Sequence, residues 1–164
     1  MKQTLTLDSE KLRQAMRAWA SGVTIVTAVH NGEQHGMTVS SFTSISLAPP
    51  LVMISLQTDS HTHRLVSQSK TFAVTILANE QQELSDRFAG RIADTGNRFV
   101  DVETETLISS APFIKGGLAY LDCCVTQVIP VGMNTLFLAE VVAARGDGEG
   151  QPLVYHDQHY HELV

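Results

Sequence analysis

The chain has 164 residues, 43% of them hydrophobic, and a formal net charge of −6 from 17 acids against 11 bases. That length suits one domain, expected to span residues 1–164, which can bury about 70% of the surface its unfolded chain would expose. The acid excess argues against nucleic acid as a partner, since phosphate backbones select clusters of Lys and Arg; here the basic residues stand singly, with Arg87 and Arg91 the nearest approach to a pair.

The opening MKQTLTLDSEKLRQ lacks the apolar run of a secretion signal. No window approaches the roughly 18 uninterrupted apolar residues that span a bilayer. The only cysteines, Cys123 and Cys124, are neighbours that would point to opposite faces of a strand, so no disulfide is expected. Reduced thiols fit a cytoplasmic setting. Asp8 and Ser9 offer N-caps for a helix running to Gly22, with Leu12, Met16 and Trp19 on one apolar face. VTIVTAV (23–29) reads as a strand, and Asn31-Gly32 as a two-residue hairpin turn. The chain returns through Gly36 to Ser41, SFTSISL continues extended, Pro49-Pro50 interrupt it, and LVMISLQ (51–57) is a further strand. HTHRLVSQS (61–69) is a short helix, TFAVTIL (71–77) a strand, and EQQELSDRFA (80–89) a helix stopped by Gly90. Residues 91–117 read as irregular. Two long strands (118–132 and 135–146), a loop and one last strand in PLVYHDQHYHEL complete the chain.

Short turns between successive strands imply antiparallel pairing, and strands do not alternate with helices. The expected class is mainly β: a closed or nearly closed antiparallel barrel of six to eight strands with a few flanking helices.

The segment 36–56, GMTVSSFTSISLAPPLVMISL, sets six hydroxyls (Thr38, Ser40, Ser41, Thr43, Ser44, Ser46) among core-like residues. A hydroxyl buried without a partner costs roughly 1–3 kcal/mol, so the row faces water or a polar ligand. In TDSHTHRLV (58–66), a helix N-terminus, the hydroxyls of Ser60 and Thr62 and the charge of Arg64 compose a competent phosphate cradle, or an ordinary capped surface helix. His61 and His63 would diverge on that helix, and the tail histidines His156, His159 and His161 lack a completing ligand at a recognisable spacing, so no metal site is expected. Asp101, Glu103 and Glu105 read as a solvated face, and Cys124 as a buried inert thiol. Dinucleotide-fold, P-loop and nucleophile-elbow signatures are absent, and no catalytic side chain stands out.

ASGVTIVTA, HGMTVSSFTSISLAPPLVMISL, SHTH, FAVTILA and ELSDRFAG stand in the order and spacing of the short-chain flavin reductases, the small partners of two-component flavin monooxygenases, and the resemblance runs from about residue 12 to residue 163. It implies a homodimeric FMN-binding split barrel that takes FMN or FAD and reduces it with NADH or NADPH. It implies that Met37, Thr38, Val39, Ser40 and Ser41 lie along the isoalloxazine and ribityl chain, with Ser46 and Leu47 closing that wall. Ser60, His61, Thr62, His63 and Arg64 would hold the phosphate, and Phe88, Ala89 and Gly90 the far end of the flavin. Tyr155, His156 and Tyr160, together with Asn134, would lie on the nicotinamide side. One departure stands out: Gly132-Met133-Asn134 replaces a family Gly-Asp-His or Gly-Thr-His, so Asn134 keeps hydrogen-bonding capacity where the family carries a titratable histidine. The implied chemistry is direct hydride transfer, with the cofactor carrying the reaction. A non-catalytic flavin sensor or carrier is the alternative.

Overall fold

The computed structural model describes residues 7–93, 96–146 and 149–163. Helix α1 spans Ser9–Met16, capped by Asp8, whose carboxylate accepts from the Glu10 amide. It ends well before Gly22, where the sequence placed its stop. Ser21–Gly22 is instead a short strand, β1, because it pairs antiparallel with β11 (Val154–His156) and continues into a bond from Val23 N–H to Leu153 C=O. The apolar face of α1 is exposed in this chain, with Leu12 and Met16 at 52% and 54% of full exposure, and Trp19, just past the helix end, at 70%.

Strand β2 (Thr24–His30) turns at Asn31-Gly32, both at positive φ, into β3 (Glu33–Val39). That is the mirror-image turn the dipeptide encodes. After Ser40 and Ser41 the chain resumes as β4 (Phe42–Leu47), then β5 (Pro50–Gln57), α2 (His61–Ser69) and β6 (Thr71–Ile76). A 3-10 turn (Asn79–Gln81) leads into α3 (Gln82–Phe88). Gly90, at φ +73, stops α3: its N–H bonds Arg87 C=O, and the Arg91 N–H reaches back to Asp86 C=O. Among its described residues, the stretch read as irregular carries only the two-residue pair β7 (Thr104–Glu105) and β8 (Phe113–Ile114). Long strands β9 (Ala119–Val131) and β10 (Asn134–Gly146) follow.

Seven strands form one antiparallel sheet in the order β3-β2-β6-β9-β10-β5-β4. Its two edge strands, β3 and β4, are consecutive in sequence and joined only by Ser40 and Ser41. Two residues span about 7 Å, whereas seven strands laid flat would separate the edges by nearly 30 Å. The sheet must therefore curl until its edges meet. Ser41 closes the corner: its C=O accepts from Ser55 N–H, and its hydroxyl donates to Ser55 C=O at 2.7 Å. This is the mainly β, split-barrel architecture expected from the sequence.

The barrel interior is filled by Val26, Val39, Val52, Ile54, Leu56, Phe72, Phe137 and their neighbours, with Leu65 and Val66 of α2. A second cluster of Ile25, Leu77, Phe88, Phe99, Ile114 and Leu153 lies on the other side of β2, which is thus buried on both faces. Cys123, not Cys124, is the fully buried thiol; burial pushes its ionisation far up, and Cys124 is half-exposed. The tail is a hairpin rather than a single strand. Asp157 and Gln158, both at positive φ, turn β11 into β12 (His159–His161).

Candidate functional site

Side chains alternate along β3. Met37 and Val39 point into the barrel cluster, so they can offer only backbone to a surface ligand. Thr38 and Ser40 point the other way, to the seam where the sheet edges meet. Ser40 is exposed and lines three adjoining cavities of about 150, 360 and 370 Å³. The first is walled by Thr38, Ser85, Ala89, Arg91, Tyr155 and Tyr160. The second is walled by α1 and the tail hairpin, through Met16, Trp19, Tyr155 and Gln158. The third runs past Trp19, Gly22 and Phe42. The seam thus collects short hydroxyls, aromatic edges and cations in a groove within the size range of small-molecule sites. A flat, polar-edged heterocycle fits this set, because no long side chain rises from the Thr38–Ser41 corner.

The wall opposite Ser40 is braced by a polar network. Thr38 Oγ1 donates to Ser85 C=O at 2.6 Å, and the Tyr160 hydroxyl lies 2.8 Å from both Ser85 Oγ and Asp86 Oδ1. Burial raises the Tyr160 phenol above its ordinary range, so it stays protonated. Arg91 donates to Asp86 Oδ1 at 3.0 Å and to the Tyr155 hydroxyl at 3.0 Å. Arg91 was not singled out as a site residue by the sequence. The available signal was its position just past the Gly90 helix stop, which fixes its backbone beside the tail.

The other sequence candidates fall in different places. Phe88 is fully buried, edge-on to Phe99 at 5.1 Å, and packs α3 onto Gly36. It supports Ala89 and Gly90 without reaching the groove. Arg98 adds a second tie, donating to both Gly36 C=O and Phe88 C=O. Ser46 and Leu47 sit at the far end of β4 and line none of these cavities; Leu47 is 90% exposed. His156 is half-buried and its ring lies 5.5 Å from that of His161.

At α2, Ser60 caps the helix by accepting from His63 N–H, and a hollow of about 570 Å³ is lined by Thr58, Ser60, His61, His63 and Arg64. Thr62 is fully buried, its hydroxyl 2.8 Å from His35 Nδ1, so it faces inward instead of into the hollow. His63 Nε2 lies 2.8 Å from Thr135 Oγ1, and desolvation holds its imidazole pKa below the ordinary value. His61 and Arg64 share one oxygen of Glu33, at 2.6 and 2.8 Å. Those partners, Arg64 first, depress the Glu33 carboxyl pKa. Asn134 donates to Ser55 Oγ at 3.0 Å, beside this hollow and not beside Tyr155 and Tyr160. Ser41, Ser55 and Asn134 therefore form a polar track on the outer face of the barrel, from the seam toward the start of α2. Among the described residues no group of three or more His, Cys, Asp or Glu could hold a metal ion.

The curled antiparallel sheet is that of a split-barrel protein, and its hydroxyl-lined seam has the shape and donors to take a flat, polar-edged ligand. Residues 16–164 match the flavin reductase like domain, and the chain belongs to that family. It is 36% identical to the reductase component of a 4-nitrophenol 4-monooxygenase/4-nitrocatechol 2-monooxygenase from Rhodococcus opacus, covering 100% of this chain and 87% of that one. It is also 36% identical to the NADH-dependent flavin reductase StyB of Pseudomonas fluorescens, over 94% and 90% of the two chains. The solved structure of the flavin reductase PheA2 superposes with a TM-score of 0.89 at 38% identity, covering 96% of this chain and 99% of that one.

Proposed function

We propose that this chain is an NAD(P)H:flavin oxidoreductase that passes hydride to FMN or FAD and supplies the reduced flavin to a partner monooxygenase. The observation that carries the reading is the convergence of three cavities on Ser40, which puts the hydroxyl corner, the end of α3 and the tail tyrosines around one groove. The relatives named as reductase components and as an NADH-dependent enzyme support the oxygenase partner and favour NADH as reductant.

When bound, the flavin supplies the hydride-accepting chemistry. The residues of the chain bind and orient. Thr38, Ser40 and Ser41, with backbone N–H groups of the corner, offer short donors along the ring edge, where fixed dipoles favour negative charge without reorganising. Ala89 and Gly90 leave room at the far end. Ser60, His63 and Arg64, reached along the Ser41–Ser55–Asn134 track, offer donors to a phosphate. Tyr155 and Tyr160, held by Arg91 and Asp86, wall the side from which a nicotinamide would approach. No nucleophile or strong base is needed.

The working form we propose is a single-domain protein that pairs as a homodimer. Beyond Val125, whose N–H still bonds Lys70 C=O just ahead of β6, no strand among the described residues pairs with β9 on that side. Around that free edge and the β9–β10 tip, Val128, Ile129, Val131 and Met133 are 40–85% exposed. A second copy would cover this surface and wall the polar track. Among the described residues no helix is long and apolar enough to cross a membrane.

The test is to mix purified protein with NADH or NADPH and with FMN or FAD, and to follow loss of reduced-nicotinamide absorbance. Turnover with at least one pairing is expected. Flavin binding without nicotinamide oxidation in any pairing refutes the reductase reading and leaves a carrier.

A further inference from the structure

Two donor side chains that face the hollow at the start of α2, His61 and Arg64, are already engaged. Glu33, from the first position of β3 just past the Asn31-Gly32 turn, places Oε1 2.6 Å from His61 Nε2 and 2.8 Å from Arg64 Nη2. One carboxylate oxygen therefore bridges both groups. The His61 ring is also stacked on His35, 4.3 Å away and 26° from parallel, which fixes the imidazole edge toward Glu33. His35 is in turn tied to the buried Thr62 hydroxyl. The arrangement is tied to the β2–β3 hairpin as well as to α2. An anion entering the hollow meets an Arg64 charge already offset by Glu33, a His61 ring nitrogen already paired, and a carboxylate that repels it.

We propose that Glu33 is a built-in competitor for the flavin phosphate, setting the affinity of this site low enough for flavin to exchange as a substrate. This rests on the reading that Arg64 and the start of α2 receive that phosphate. Glu33 and Arg64 are about half exposed, with side-chain exposures of 47% and 50%, so water screens the pair and the phosphate must displace a modest interaction, not break a buried one. The flavin ring, contacted elsewhere along the seam, is untouched by the exchange. The device therefore acts on flavin nucleotides and not on the phosphate-free nucleoside. It matches the chemistry required of a chain that must hand its product to a second protein: binding tight enough to reduce, loose enough to release.

The experiment is equilibrium titration of the full chain with FMN and with riboflavin, for the wild type, Glu33→Gln and Arg64→Ala. Glu33→Gln keeps the shape and removes the charge. It is expected to tighten FMN roughly three- to tenfold and to slow FMN release in stopped flow, with riboflavin affinity unchanged. Arg64→Ala is expected to weaken FMN and to leave riboflavin unchanged. If Arg64→Ala weakens FMN but Glu33→Gln leaves it unchanged or weaker, Glu33 serves only to position Arg64 and the competitor proposal is overturned while the phosphate reading stands. If neither variant alters the FMN-to-riboflavin ratio, the phosphate lies elsewhere and both fall. Thermal midpoints within a degree or so of wild type, expected for exposed side chains, show that the binding changes are not folding defects.

Discussion

Replacing Gly36 by Ala probes whether a buried ring holds α3 against β3. Gly36 lies inside a strand and not at a positive φ, so by backbone preference alone alanine should be tolerated or mildly stabilising. Space decides otherwise. An added Cβ would sit 2.9 and 3.0 Å from two carbons of the Phe88 ring and 3.0 Å from the Thr27 methyl. Neither neighbour can step aside. Phe88 is fully buried against Phe99, and the buried Thr27 hydroxyl donates to Pro112 C=O. Overpacking of this kind costs about 1–3 kcal/mol. At about 2–4 °C per kcal/mol for a domain of this size, the melting midpoint should fall by about 2–12 °C. Because α3 must back away, Ala89 and Arg91 move with it, and flavin affinity should drop by about three- to tenfold. Thermal denaturation and flavin titration read the two effects. Phe88→Leu in the same chain should restore part of both losses, giving a measurable coupling. A Gly36→Ala protein that melts and binds like wild type, or shows no coupling to position 88, refutes the packing argument.

Asp122 is fully buried and accepts from Ile108 N–H and Ser109 N–H at 2.8 and 2.7 Å, its other oxygen having no hydrogen-bond partner among the described residues. Asp122→Ala should cost about 3–5 kcal/mol in urea denaturation, while Asp122→Asn, which keeps one acceptor, should cost less than half of that; equal losses would show that these two bonds are not what the carboxylate supplies. Arg91→Ala should raise the KM for reduced nicotinamide roughly three- to tenfold at saturating flavin, with Arg91→Lys intermediate, because the loosened tail costs orientation; an unchanged KM sinks that role. His63 has its pKa lowered by desolvation, so the unfolded chain binds more protons than the folded one as pH falls below the ordinary imidazole value of 6.5. Stability should therefore be lost as pH drops from that value through the folded pKa, and His63→Gln should flatten the midpoint-versus-pH curve there.

The elements with self-contained signals were legible in the sequence. Asn31-Gly32 encodes its turn and Gly90 its helix stop through positive-φ backbone that few other residues favour, and Ser60 encodes its helix start through a side-chain oxygen that accepts from His63 N–H. What could not be read depends on partners distant in the chain. Ser21–Gly22 is extended only because Val154 and Tyr155 pair with it. The turn at Asp157-Gln158 carries no glycine; it forms because Tyr155 and Tyr160 pair across it. At the candidate site, period-two alternation separates Thr38 and Ser40 from Met37 and Val39 correctly once β3 is known to be a strand. The inward turn of Thr62, the burial of Phe88 and the bracing role of Arg91 follow from His35, Gly36 and Tyr155, which no local pattern connects to them.

Three of the six hydroxyls, those of Thr38, Ser40 and Ser41, have a physical account in the closing of the sheet. A corner joining the two edges of a curled sheet must bring two backbones close, and bulky side chains there would hold the edges apart. Small residues satisfy that demand, but alanines would leave the corner's backbone groups to water. Ser41 instead bonds Ser55, and Thr38 bonds Ser85, so two hydroxyls close the corner onto β5 and α3. Ser40, between them, sits at the point the three cavities share. The residues that let the barrel close are thus the same type that lets a flat ring approach the backbone. This makes Ser40 separable from its neighbours: Ser41→Ala should lower stability, whereas Ser40→Val should leave the melting midpoint near wild type and weaken flavin binding by crowding the groove. Calorimetry and titration of the two variants side by side decide it, and a Ser40→Val chain that binds flavin as wild type does would place the ring somewhere other than the seam.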